Sequence, residues 1–140
     1  MNSLRSVFFL SCFLISSHAL RAQDAVELKS PDGKLVFSMV IAKNEAPVYT
    51  ITHKGQPVIL PSTLGVSGWE EGVTLTGKNY TGCDTLWEPV YGERGVVRNR
   101  YHQLSLSFKN KQLDELSLEV RAYNEGIAFR YGFAGNGLAN

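Results

Sequence analysis

The densest group of residues that could do chemistry is a short segment rich in carboxylates, aromatic rings and basic side chains. It runs from 85 to 94 and is followed by Arg-Asn-Arg-Tyr-His at 98–102. Aromatic rings can cover one face of a sugar ring, while carboxylate, guanidinium and amide groups can bind its hydroxyls. This composition predicts a carbohydrate-binding surface with five candidate residues: Trp87, Glu88, Tyr91, Arg98 and Asn99.

A purely structural interpretation of the same segment stays open, and residue spacing alone favours it. In this interpretation Trp87 and Tyr91 pack into the core. The charged residues then form solvated ion pairs, which are common on protein surfaces. They are Glu88, Glu93, Arg94, Arg98 and Arg100.

Catalytic and metal chemistry find little support in the residue pattern. Glu88 and Glu93 could suggest the two carboxyls that glycosidases hold about 5 to 10 Å apart, but acidic residues are too common for this pair to be informative. His53 and His102 form no Ser-His-Asp arrangement, and no phosphate-binding loop, nucleophile elbow or zinc-protease motif occurs. Cys83 has no second ligand at metal-binding spacing. We therefore predict no catalytic residue, metal ligand or cofactor in this chain.

The first 22 residues predict a secretory signal peptide. A short basic start precedes the apolar run Val7–Ile15, and a more polar stretch then ends on Ala22. A membrane-spanning helix would need about 20 apolar residues, more than this run supplies. We expect cleavage after Ala22, a mature domain at 23–140, and export to the periplasm or the medium. A buried N-terminal helix and lipid attachment at Cys12 remain alternatives.

Charge and cysteine content narrow the possible partners. The chain has 14 basic and 13 acidic residues, and loss of Arg5 and Arg21 with the signal would leave a net charge of −1. Nucleic acids and anionic membranes attract clustered Lys and Arg, so we expect neither partner after signal cleavage. Cys83 would then be the single cysteine, without an intrachain disulfide, and we expect it to be buried as a small apolar residue.

The elements that must position these residues are β-strands. After residue 22, apolar residues recur at every second position between Gly, Pro, Asn and Asp turns about 8 to 14 residues apart. This pattern predicts an all-β antiparallel meander. Its longest run, 96–108, places Leu104, Leu106 and Phe108 on one face, and 116–122 alternates in the same way.

Three other segments carry more specific expectations. Residues 73–77 predict a short strand followed by a turn at 78–82, whereas Val58–Leu60, bounded by prolines, predicts an edge strand. After Phe133 the sequence offers no closing strand, and natural proteins avoid exposed sheet edges. We therefore expect the domain to be incomplete at its C-terminus.

Several sequence blocks, taken in order, resemble the N-terminal domain of glycoside hydrolase family 97. The resemblance covers nearly all of residues 26–133. Its most specific parts are the Trp-Glu-Pro-Val block at 87–90 and the Gly-Ile-Ala-Phe-Arg-Tyr block at 126–131. Further blocks are 30–34 (Ser-Pro-Asp-Gly-Lys), 98–101 (Arg-Asn-Arg-Tyr) and 121–125 (Arg-Ala-Tyr-Asn-Glu).

The resemblance implies an exported α-glucosidase or α-galactosidase of Bacteroidetes. Such enzymes have an N-terminal antiparallel β-super-sandwich, galactose-mutarotase-like, then a central (β/α)₈ barrel and a small C-terminal β domain. The resemblance implies that the family's catalytic carboxylates and most of its calcium-binding glutamates lie on the barrel. One calcium-binding glutamate comes from a part of the N-terminal domain later than the residues matched here. No catalytic or metal residue therefore transfers to a position of this sequence, and calcium is expected only for the full-length enzyme. Residues 23–140 would pack against the barrel and help wall its sugar site. A free-standing carbohydrate-binding sandwich is the alternative, and the sequence decides neither the sugar nor the stereochemistry of hydrolysis.

Overall fold

A computed structural model describes residues 23–42, 45–90 and 95–133 of the chain, and all regular secondary structure in these ranges is β-strand. Two four-stranded antiparallel sheets each follow sequence order. Sheet A contains β1 (Gln23–Lys29), β2 (Leu35–Ala42), β3 (Val48–His53) and β4 (Gln56–Thr63). Sheet B contains β5 (Thr74–Trp87), β6 (Val97–Lys109), β7 (Glu115–Ala122) and β8 (Ile127–Phe133). The predicted all-β antiparallel sandwich is confirmed.

Sheet A forms because its sequence alternates and its turns carry the residues that tight turns need. On β2, Leu35, Phe37, Met39 and Ile41 are buried, while the residues between them are partly exposed. The β1–β2 turn has Gly33 at φ 73°, and the β3–β4 hairpin has Lys54 and Gly55 at φ 51° and 79°. Two positive φ angles are what a two-residue hairpin of this twist requires. The turn is therefore Lys54-Gly55 alone, and Gln56 already belongs to β4.

The core lies between the inward faces of the two sheets. Leu104, Leu106 and Phe108 of β6 are almost fully buried, as their alternation predicts. The inward residues of β7 continue the layer: Leu116, Leu118, Val120 and Ala122. Opposite them lie the apolar residues of β1 and β2: Val26, Leu28, Phe37, Met39 and Ile41.

Polar contacts and ring contacts join the sheets at several points. The Tyr49 ring of sheet A meets Phe129 of sheet B edge-on, with centroids 5.7 Å apart. The Tyr131 hydroxyl donates to the Leu64 carbonyl at 2.8 Å. His102 Nδ1 lies 2.8 Å from the carbonyl oxygen of Lys29. These contacts fix the sandwich at both ends of the shared core.

β5 is longer than the strand that the sequence predicts at 73–77. The turn expected at 78–82 is wrong, because the strand runs without interruption from Thr74 to Trp87. Every residue from Gly77 to Trp87 has a partner on β6, so the ladder overrides the weak strand preference of Lys78, Asn79 and Gly82. The one irregularity is a register shift between Leu75 and Gly77, where a bulge accommodates the extra residue.

Other sequence expectations have mixed outcomes. β4 lies at the edge of sheet A in the described residues, as its prolines predict. Cys83 is only half-buried, so the expectation of a buried apolar cysteine is wrong. The predicted signal peptide at 1–22 lies outside the described residues. Within those residues, no helix has the length and hydropathy needed to cross a membrane.

Candidate functional site

The paired strands β5 and β6 extend past the shared core as an exposed arm, here residues 83–87 with 97–101. Their register places Trp87 opposite Val97 and Thr85 opposite Asn99. Because successive side chains alternate between faces, Trp87 and Asn99 lie on the face of sheet B turned away from sheet A. Arg98 lies on the other face. The structure therefore brings two of the predicted site residues together and separates the third.

Arg98 is held in an ion pair on the arm. Its Nε and Nη2 donate to Oδ1 and Oδ2 of Asp84, each at 2.7 Å, and Arg100 Nε lies 3.5 Å from Asp84 Oδ2. The hydrogen bonds from Arg98 lower the pKa of the Asp84 carboxyl below its ordinary value. Two parallel hydrogen bonds of this kind fix the orientation of the guanidinium against the carboxylate, in addition to pairing their opposite charges. The prediction of solvated ion pairs is right in kind, but the partner is Asp84 rather than a glutamate.

The remaining predicted residues lie at the tip of the arm or outside the described ranges. Trp87 is 53% exposed, so the interpretation that packs it into the core is wrong. The reason is the length of β5, which carries Trp87 beyond the part of sheet B that sheet A covers. Glu88 follows it and is exposed, and Tyr91 lies outside the described residues. Sugar binding by Trp87, Glu88, Tyr91, Arg98 and Asn99 stays a prediction.

The tip of the arm is apolar as well as exposed. Leu86, Val90 and Val96 are 69%, 86% and 52% exposed, and Trp87 adjoins them. These four residues are named the apolar tip below. Leu86 and Trp87 point to opposite faces of the arm. Exposed large apolar side chains grouped at the end of a hairpin are candidates for an interaction site.

A second polar group, which we name the Arg121 cluster, lies on the outward face of sheet B. It consists of Tyr101 and Gln103 on β6, Glu119 and Arg121 on β7, and Tyr123 just after β7. Gln103 pairs with Arg121 across the strands, and continuation of this register sets Tyr101 against Tyr123. Their ring centroids are 5.1 Å apart. Burial raises the pKa of the Tyr101 phenol above its ordinary value, so the phenol is neutral near pH 7.

The guanidinium of Arg121 is fixed from three directions. Its Cζ lies 4.7 Å from the centre of the Tyr101 ring, within the range of a cation–π contact. Its Nε donates to Gln103 Oε1 at 2.8 Å, and its Nη2 lies 2.8 Å from Glu119 Oε1. The other oxygen of Glu119 accepts from Arg130 Nη2 at 2.9 Å. The cluster is therefore a preorganised set of donors, acceptors and aromatic rings.

Sequence reasoning missed the Arg121 cluster as a site. It treated 121–125 only as part of a family resemblance, because the cluster's members come from two distant segments. One signal was present: Glu119 and Arg121 occupy alternate positions of β7, on the side away from the core, as Tyr101 and Gln103 do on β6. The pairing of the two strands, which joins these signals, cannot be taken from spacing alone.

The described residues do not fit a metal centre. Within 23–42, 45–90 and 95–133, no three His, Cys, Asp or Glu side chains are grouped so that they could hold an ion. Calcium uses six to eight oxygen ligands. We therefore assign no calcium ligand to these residues and derive no chemistry through the ion.

Comparison with known proteins identifies the family. The glycosyl-hydrolase 97 N-terminal family model matches residues 28–139. The retaining alpha-galactosidase of Bacteroides thetaiotaomicron is 29% identical over 133 residues, which cover 91% of this chain and 19% of that enzyme.

Solved structures show the same relationship. A family 97 enzyme of Pseudoalteromonas sp. strain K8, in complex with panose, superposes with a TM-score of 0.70 at 25% identity, over 81% of this chain and 18% of that one. A beta-arabinopyranosidase gives a TM-score of 0.70 at 25% identity, over 80% and 18%. The chain thus spans about a fifth of the length of these relatives. The match over most of its residues shows that it belongs to glycoside hydrolase family 97 and carries the N-terminal domain of that family.

Proposed function

We propose that this chain is the N-terminal β-sandwich of an exported glycoside hydrolase acting on α-glucosides or α-galactosides. In this proposal it packs against a catalytic (β/α)₈ barrel and helps to wall the sugar site. The chain itself supplies no acid or nucleophile, and calcium belongs to the full-length enzyme. Support for the substrate class comes from the relatives, one a retaining alpha-galactosidase and another a panose complex.

The observation that carries the packing role is the apolar tip. Leu86 and Val90 are among the most exposed large apolar residues of the described chain. Full burial of one Leu or Val side chain contributes about 1.5 to 3 kcal/mol, so the tip offers substantial free energy to a partner that covers it. A long hairpin projecting beyond its own core is also suited to reach a neighbouring domain.

The arm is stiff enough to present this tip. The ladder between β5 and β6 continues to Trp87 and Val97, and the fork between Arg98 and Asp84 crosses the strands just below the tip. A docking element that is already ordered loses less conformational entropy on binding. The geometry thus supports a docking role for the tip.

The test is association with a catalytic domain. The full chain is mixed with the catalytic region of the Bacteroides thetaiotaomicron alpha-galactosidase, and complex formation is measured by analytical ultracentrifugation. We expect a complex, and we expect the double variant Leu86→Ser with Val90→Ser to weaken it by at least about tenfold. The reason is the loss of apolar area at the tip.

A matched control lies on β4. Val58 and Leu60 are 62% and 68% exposed, so Val58→Ser with Leu60→Ser removes a similar pair of exposed apolar residues elsewhere. This control should leave the complex unchanged. Absence of a complex, or equal weakening by both double variants, would contradict the proposed docking surface.

A further inference from the structure

We infer that the Arg121 cluster is a saccharide subsite that holds one neutral pyranose ring on the outward face of sheet B. The inference rests on the proposed function, from which it takes the ligand class. It differs from the sequence prediction in position, because none of Trp87, Glu88, Tyr91, Arg98 and Asn99 belongs to the cluster.

The first argument is the shape of the surface beside Arg121. A cavity of about 190 Å³ opens there, lined by Glu119, Arg121, Tyr123, Ala128, Phe129 and Arg130. Pockets that enclose a drug-sized ligand measure about 300 to 1,000 Å³. The smaller volume suits a single ring of a longer ligand whose other rings remain in solvent.

The second argument is the chemistry of the lining. Sugar hydroxyls both donate and accept hydrogen bonds, so a site needs fixed donors beside fixed acceptors. Arg121 has five N–H donors; its Nε donates to Gln103, and its Nη2 forms an ion pair with Glu119. Donors remain for a ligand, and the Glu119 carboxylate has further acceptor positions. Tyr123 adds an aromatic ring for the apolar face of the sugar.

The third argument is preorganisation. Arg121 loses most of its rotamer freedom on folding, because Tyr101, Gln103 and Glu119 hold its side chain. Ordering a long side chain at the moment of binding costs about 0.5 to 1.5 kcal/mol, and here that ordering has already occurred. A surface arginine with no such neighbours would be a weaker hydroxyl ligand.

The fourth argument separates a neutral ligand from an anionic one. Glu119 lies between Arg121 and Arg130: it forms an ion pair with Arg121 and accepts a hydrogen bond from Arg130. Its carboxylate offsets one of the two positive charges, and its remaining acceptor positions disfavour an anion placed at the same spot. A hydroxyl, which can donate to Glu119 and accept from Arg121, matches the lining better than a phosphate does.

The experiment is a ¹H–¹⁵N NMR titration of the full chain with panose. We expect saturable shifts that are largest for the Arg121 Nε–H and for the backbone amides of 119–123. Arg121→Gln should weaken binding by at least about tenfold. Lys109→Gln is the matched control, since Lys109 is also a paired cation of sheet B, with its Nζ 3.0 Å from Glu115 Oε1, but does not line the cavity; it should change the dissociation constant less than about twofold.

Two further measurements test whether the Arg121 cluster binds a neutral sugar. Arg121→Lys retains the positive charge and much of the packing but lacks the planar guanidinium with its fixed N–H donors. It should therefore also weaken panose binding, while a well-dispersed NMR spectrum shows that the variant is still folded. A parallel titration with inorganic phosphate should give no saturable shifts at Arg121. The inference is overturned by absence of saturable panose shifts, by binding that survives both Arg121 variants, or by a phosphate response at the cluster. The docking test uses no sugar, so a subsite failure and a docking failure can be told apart.

Discussion

Arg98 and Arg121 show how neighbours give one residue type two roles. Arg98 faces Asp84 and forms a closed two-pronged pair with it. Arg121 is shared among a ring, an amide and a carboxylate, each of which engages part of the guanidinium. The first arrangement leaves little capacity for a ligand, whereas the second holds donors beside an open cavity. Sequence reasoning chose Arg98 because it lies next to other chemistry-bearing residues, but only strand pairing shows which arginine is available.

Asp32 is an ionisable residue of the β1–β2 turn, and its carboxylate forms several contacts there. Its Oδ1 accepts from Ser30 Oγ at 2.7 Å and from the Lys34 backbone N–H at 3.1 Å. Its Oδ2 lies 2.9 Å from Lys34 Nζ. The bonds from Ser30 and Lys34 hold the pKa of this carboxyl far below its ordinary value. The charged form is therefore the one that stabilises the β1–β2 turn.

This gives a pH-dependent prediction. Because the folded pKa is lower than the unfolded value of about 3.9, the contribution of Asp32 is present above pH 4 and is lost as pH falls through the folded pKa. Asp32→Asn should lower the urea midpoint at pH 7, and the difference from wild type should shrink below about pH 4. Asp24→Asn, at an exposed residue near the start of β1, is the control. A difference that stays constant from pH 7 to pH 3 would contradict the assignment.

At the scale of elements, the β5–β6 arm is the distinctive feature. The Asp84 pair joins its two strands where sheet A no longer covers them. We expect Asp84→Ala to loosen this part alone, since exposed ion pairs contribute little to global stability. Amide hydrogen exchange should become faster at 83–86 and 98–100 and stay unchanged at 104–106. Equal acceleration in both regions would show that the pair supports the whole sheet.

The arm also shows which parts of the fold the sequence can predict. The alternation of 104–108 predicts that Leu104, Leu106 and Phe108 share one buried face, and all three are buried. Alternation of apolar residues along a strand is a direct sign of one buried face. The course of β5 after Gly77 was not predicted, because Lys78–Gly82 favours a turn locally and is strand only through pairing with β6. Trp87 was ambiguous for the same reason, since its exposure depends on how far the arm extends beyond sheet A.

At the scale of the whole molecule, stability depends on the layer between the two sheets. Leu104 of β6 is fully buried in that layer. Leu104→Ala should lower the free energy of unfolding by about 2 to 5 kcal/mol, because it removes apolar contacts and leaves a cavity. Leu60→Ala, at a site 68% exposed, should change it by no more than about 0.5 kcal/mol. Urea denaturation of both variants tests this, and similar losses would place the core elsewhere.

We propose that this chain serves a catalytic domain and does not hydrolyse sugars by itself. The most direct measurement is the release of p-nitrophenol from aryl α-galactosides and α-glucosides by the full chain, by the catalytic region of the Bacteroides thetaiotaomicron alpha-galactosidase, and by the two together. We predict no turnover by the chain alone and a faster rate for the mixture than for the catalytic region alone. Turnover by the purified chain, or a mixture no faster than its catalytic component, would contradict the account.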